Sequence, residues 1–192
     1  RLAAVIDHYD FFLLNGMAGT GKSVYVIGVL CEMFKRGRIN KIVIIRSSTH
    51  IIKEMGFPAG PYKDKCAEFF VQQIVYLKHF LGESTYRRMS ENNEIELMST
   101  SVLRGLNYEF SGILLDECQH SSKEDIILSL SRVGKNSVVF MAGDEMQNNT
   151  GFFGRMYEQM EDEKLFKIRF DESDCLRHKD MIRLCKKVQE IK

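Results

Sequence analysis

Residues 11–23 read FFLLNGMAGTGKS, an apolar run that stops at a glycine-rich turn and opens onto Lys22 and Ser23. The last eight residues (Gly16, Met17, Ala18, Gly19, Thr20, Gly21, Lys22 and Ser23) fit the pattern GxxxxGK[ST]. The pattern follows a strand-like segment and opens a helical one, which is the context a phosphate-binding loop requires. Glycines let the backbone wrap an anion with its N–H groups turned inward, and the helix N-terminus adds a positive dipole end. In such a loop the lysine reaches the β- and γ-phosphates, and the hydroxyl of Ser23 ligates Mg²⁺. The loop predicts a nucleotide ligand. Small-molecule kinases, GTPases and motor ATPases all use one, so it does not by itself predict a task.

Outward from the loop, the chain alternates strand and helix. Short apolar runs at 11–15, 41–46 (KIVIIR), 112–116 (GILLD) and 137–143 (SVVFMAG) read as buried parallel strands. EIELMS (94–99) and FKIRF (166–170) are weaker strand candidates. Helical patterns cover Lys22 to Lys35, Pro61 to Phe80, Lys123 to Arg132, Phe152 to Glu161 and Asp180 to Ile191. This alternation predicts one α/β domain over 1–192 around a mainly parallel sheet, with ligands at the C-terminal ends of the strands.

Composition fits that reading. The 192 residues are 44% hydrophobic and 28% charged, enough for one domain with a sizeable core. A formal net charge of +1 gives no strong field toward nucleic acid or an anionic membrane. The apolar runs fall short of the roughly 20 residues a membrane span needs, and no signal-peptide pattern is present. Five widely spaced cysteines (Cys31, Cys66, Cys118, Cys175, Cys185) lack any CxxC pair, so reduced thiols and a cytoplasmic setting are expected. The chain starts at Arg1 rather than Met, and a missing natural N-terminus is one reading of that.

ILLDECQH at 113–120 presents a second chemical feature. A partner for Mg²⁺ is expected as an acidic residue at the end of another buried strand, and Asp116 stands there, holding the ion through its water shell. Glu117 follows as a general base for an attacking water, and an Asp-Glu pair here argues for hydrolysis over phosphate transfer to a metabolite. Cys118 and His120 are i, i+2, without the spacing that brings two ligands to one zinc, so they read as a packing and a surface residue. After the next strand, Asp144 and Gln147 in GDEMQ are expected at the γ-phosphate and lytic water. Positive charge on that phosphate needs an arginine, with Arg177 favoured over Arg104, and Arg46 facing nucleotide or nucleic acid. Basic residues around 35–46 and 177–192 are the candidate nucleic-acid contacts.

These motifs together resemble the PhoH-like family, which is related to the first motor domain of superfamily 1 helicases. The likeness rests on GMAGTGKS, RSSTHIIKEMGFPAGPYKDK, LRGLNYEFSGILLDECQH, GDEMQ and DESDCLRH in that order, over nearly the whole chain. It implies a three-layer RecA-like P-loop NTPase fold, ATP and Mg²⁺ as cofactors, and ATPase activity. It also implies action on RNA or single-stranded DNA, including unwinding, often as a homo-oligomeric ring. Lys22 and Ser23 match Walker A, Asp116 and Glu117 match Walker B, Gln147 matches the third motif's phosphate sensor, and Arg177 matches the late arginine. Gln119 fits the family's DExQ and is expected to couple the nucleotide to whatever is moved. The family usually carries Pro at Met17, Thr at Ser23 and Ala at Cys118, and reads adenine with an upstream Gln that this chain lacks before Gly16. A small-molecule kinase and a slow nucleotide-dependent binding module remain the alternatives.

Overall fold

The computed structural model describes residues 5–47, 69–147 and 151–175. Six strands form one sheet in the order β3-β2-β4-β5-β1-β6, and every pairing is parallel. The strands are β1 (Phe11–Asn15), β2 (Lys41–Arg46), β3 (Ile95–Ser99), β4 (Ser111–Leu115), β5 (Val138–Gly143) and β6 (Leu165–Arg169). Among the described residues the helices are α1 (Lys22–Lys35), α2 (Val71–Leu81), α3 (Glu83–Glu91), α4 (Lys123–Leu130) and α5 (Phe152–Gln159).

Side chains alternate across each strand, and the core divides accordingly. Phe12, Leu14, Ile42, Ile44, Leu114 and Phe140 pack on one face with Ile27, Leu30, Leu77 and Met89 from α1, α2 and α3. Leu13, Val43, Ile113, Leu115, Val139 and Met141 pack on the other with Ile126, Phe153 and Met156 from α4 and α5. The result is a three-layer αβα domain. Burial on both faces explains why the central strands are near-continuous apolar runs.

Because all strands run the same way, their C-terminal ends open along one edge. Register pairs Asn15 with Gly143 and Leu115 with Met141, which brings the ends of β1, β5 and β4 side by side. The chain leaves β1 for β2, with β5 and β4 lying between them in the sheet, and later returns to place β6 on the far side of β1. That reversal creates the crevice where α/β sheets bind ligands.

Several predicted boundaries need correction. The strands predicted at 112–116 and 166–170 each begin and end one residue earlier, so Asp116 lies just beyond β4. Helix α3 was not predicted. It buries only Met89, so its sequence ESTYRRMSE shows no apolar stripe, and it packs against α2 after a turn at Gly82. The described part of the helix predicted from Pro61 starts at Val71 and extends to Leu81. Cys66, Arg177, Cys185 and the helix predicted from Asp180 lie outside the described residues.

Candidate nucleotide site

The loop after β1 combines one close backbone approach with two left-handed glycines. A Cβ at Gly16 would stand 2.7 Å from Phe170 Cβ and 3.1 Å from its carbonyl oxygen, because the chain leaving β6 crosses here. Gly19 and Gly21 have φ of 90° and 81°, the left-handed region where a side chain is strained. Thr20 is buried, and its hydroxyl donates to Met17 O at 2.8 Å, closing the loop on itself. Lys22 Nζ lies within the loop and donates to Gly16 O at 2.6 Å and Met17 O at 3.0 Å. Burial pulls this ammonium below its ordinary value of 10.5, opposed by the carboxylates of Asp144, Glu117 and Asp116.

The Asp-Glu turn meets the loop directly. Ser23 Oγ donates to Asp116 Oδ1 at 2.7 Å, joining residues 93 apart in sequence. Gln73 Nε2, from α2, donates to Asp116 Oδ2 at 2.6 Å. Asp116 is 3% exposed, and burial together with the neighbouring Glu117 raises its carboxyl above 3.8, while Ser23, Gln73 and Arg46 act the other way. Glu117 adopts φ 57°, ψ 43°, a left-handed conformation that costs a non-glycine residue about 1–2 kcal/mol. Its carboxylate accepts from Gln119 Nε2.

Gln119 and Asp144 complete the floor. Gln119 is buried, and its Oε1 accepts from the Asp144 backbone N–H at 3.0 Å, so one amide spans the turn after β4 and the end of β5. Asp144 was expected at the γ-phosphate. It lines the same cleft, and its carboxylate accepts from Ala18 N–H at 2.9 Å and Met146 N–H at 2.9 Å, fastening the glycine loop to the Gln147 turn. Cys118 points away from the cleft, its thiol donating to Leu115 O at 3.2 Å, and burial pushes that thiol up. Cys31, Cys118 and Cys175 are free thiols.

These groups line a cleft of about 940 Å³ that brings together Lys22, Ser23, Asp116, Glu117, Gln119 and Gln147. Arg46 also lines it, with Nη1 donating to Phe69 O at 2.6 Å, whereas exposed Arg104 does not. The basic residues at 35–46 do not form one patch. Lys41 and Arg46 stand at opposite ends of β2, and Arg36 and Lys41 pair with Glu32 and Glu96. Among the described residues, no group of three or more His, Cys, Asp and Glu side chains could hold a metal ion. No described helix is long and apolar enough to cross a membrane.

Sequence reasoning missed Gln73. It occupies the stripe position between Phe70 and Leu77 on the buried face of α2, and a polar residue in an apolar stripe is the signal that marks it.

An all-parallel sheet with helices on both faces, a GxxxxGKS loop after β1 and an Asp-Glu turn after β4 define an α/β domain of the RecA-like P-loop class. Within that class, the PhoH-like protein family model matches residues 1–189, and the chain belongs to that family. It is 28% identical over 144 residues to a PhoH-like protein of Bacillus subtilis, covering 75% of this chain and 45% of that one. It is 26% identical over 180 residues to Protein PhoH of Escherichia coli K12, covering 90% and 51% respectively. A PhoH-like protein of Mycobacterium leprae is 24% identical over 147 residues, covering 77% and 42%. The chain thus spans about half the length of the curated relatives it matches.

Proposed function

We propose that this chain is an Mg²⁺-dependent ATP hydrolase whose turnover is coupled to binding or unwinding of RNA or single-stranded DNA in the cytoplasm. The observation that carries the proposal is the 2.7 Å Ser23–Asp116 hydrogen bond, which closes the glycine loop against the Asp-Glu turn in the cleft shared by Lys22 and Glu117. The donor set suits the ion. Ser23 Oγ keeps lone pairs while donating to Asp116, and both groups are hard oxygen ligands of the kind Mg²⁺ takes. When bound, the ion neutralises charge on the β- and γ-phosphates.

The residues divide the work. The backbone of Gly16 to Gly21 cradles the phosphates, and Lys22 exchanges its contacts with Gly16 O and Met17 O for phosphate oxygens. Glu117, oriented by Gln119, takes a proton from water as the water oxygen bonds to the γ-phosphorus. The bond from that phosphorus to the bridging oxygen breaks, and ADP leaves. Gln147 senses the γ-phosphate, and Arg177 supplies positive charge to it, from the same chain or from a neighbour in a homo-oligomeric ring.

The test is phosphate release by the wild type and Glu117→Gln across an RNA and single-stranded DNA panel. The variant should retain ATP binding and lose about 10²–10⁴-fold in turnover. Retained hydrolysis would assign the base elsewhere. Stimulation by neither polymer would limit the function to ATP hydrolysis.

A further inference from the structure

We propose that Gln73 is a positioning residue of the divalent-cation site, holding Asp116 Oδ2 so that Oδ1 stays on Ser23. The inference rests on the cation-dependent reading above. Its first support is geometric: Gln73 is 5% exposed and reaches from α2 to Asp116 at 2.6 Å. An ionised carboxylate only accepts, so the amide must present its N–H there, and the carbonyl end is turned the other way.

The second support is independent. Gln73 Oε1 is buried and has no hydrogen-bond partner among the described residues. Burying an amide with one end unpaired is costly. The neighbouring stripe residues Phe70, Leu77 and Leu81 show that an apolar side chain would serve the packing. A glutamine kept there at such cost, on the wall of the cleft beside Ser23 and Asp116, fits a role in the site. Groups that orient a metal's ligands in this way typically govern affinity for the ion.

The test uses the full chain, Mn²⁺ followed by its paramagnetic resonance signal, and a non-hydrolysable ATP analogue. Gln73→Met keeps the volume and removes the amide. It should raise the Mn²⁺ concentration for half-saturation of the analogue complex about tenfold or more, with affinity for the analogue in EDTA unchanged. Gln73→Asn keeps the amide with a shorter reach and should shift the midpoint the same way by less. It also serves as the readout should the methionine variant fail to fold. An unchanged Mn²⁺ midpoint, or an equal loss of analogue affinity with and without metal, would overturn the assignment and leave Gln73 a structural residue. If wild type shows no Mn²⁺ dependence at all, the cation-dependent function itself fails, a result distinct from either.

Discussion

Asp116 is almost fully buried with Glu117 as its chain neighbour, and both facts favour its neutral form. The folded chain therefore binds a proton at Asp116 more tightly than the unfolded chain does. Between the ordinary value near 3.8 and the raised folded value, the native state carries more protons, so this group's contribution to stability falls as pH rises. Asp116→Asn removes the charge and keeps the shape. Without ligand, this variant should melt a few degrees higher than wild type at pH 7–8, about 2–4 °C for each kcal/mol in a chain this size. The advantage should vanish as pH falls toward about 4. Thermal melts across that range check it, and an advantage independent of pH would remove burial of the charge as its cause. The same substitution should abolish metal-dependent nucleotide binding, so stability and function oppose each other at one residue. The identity of Asp116 as a candidate was legible because a carboxylate ended an apolar run. Its bond to Gln73 was not, because a contact across 43 residues leaves no local pattern.

Among the elements, the glycine loop is held by the segments that follow two other strands, β5 and β6. Asp144 at the end of β5 accepts Ala18 N–H, the chain after β6 crosses Gly16, and Phe170 N–H donates to Asn15 O at 2.8 Å. Gly16→Ala would drive a methyl group into Phe170 Cβ and its carbonyl, where backbone cannot yield as a side-chain tip does. We expect a loss of about 1–3 kcal/mol in urea denaturation, as for overpacked cores, together with weaker ATP binding. Unchanged stability would show that the ends of β1 and β6 separate easily. Helix α1 was legible at its start from GKS, and α4 begins at Lys123 as predicted, where the structure adds a capping box in which Ser122 and Asp125 exchange hydrogen bonds. Helix α3 was not legible, since burying Met89 alone writes no periodicity.

At the scale of the whole molecule, β5 stands between the glycine-loop strand β1 and the Asp-Glu strand β4. Asp144 and Gln119 join these three strand ends. An assembled catalytic unit would also need the proposed arginine, and its origin is a question of oligomer geometry. If Arg177 acts across a subunit interface, ATPase rate per chain should rise with protein concentration. Mixing Lys22→Ala with Arg177→Ala subunits should then restore turnover that neither has alone. Absence of both effects would place the arginine within one chain or remove it from the chemistry. The sequence by itself determined the α/β class, the glycine loop and the two carboxylates, because periodicity, glycine turns and charges at strand ends are local and follow from a few adjacent residues. Only the tertiary structure decided that Ser23 meets Asp116, that Asp144 serves the loop backbone, that Gln119 bridges two strand ends and that Gln73 enters the site. Those contacts join segments 25 to 126 residues apart, and strand order and register bring them together, which no short stretch of chain encodes.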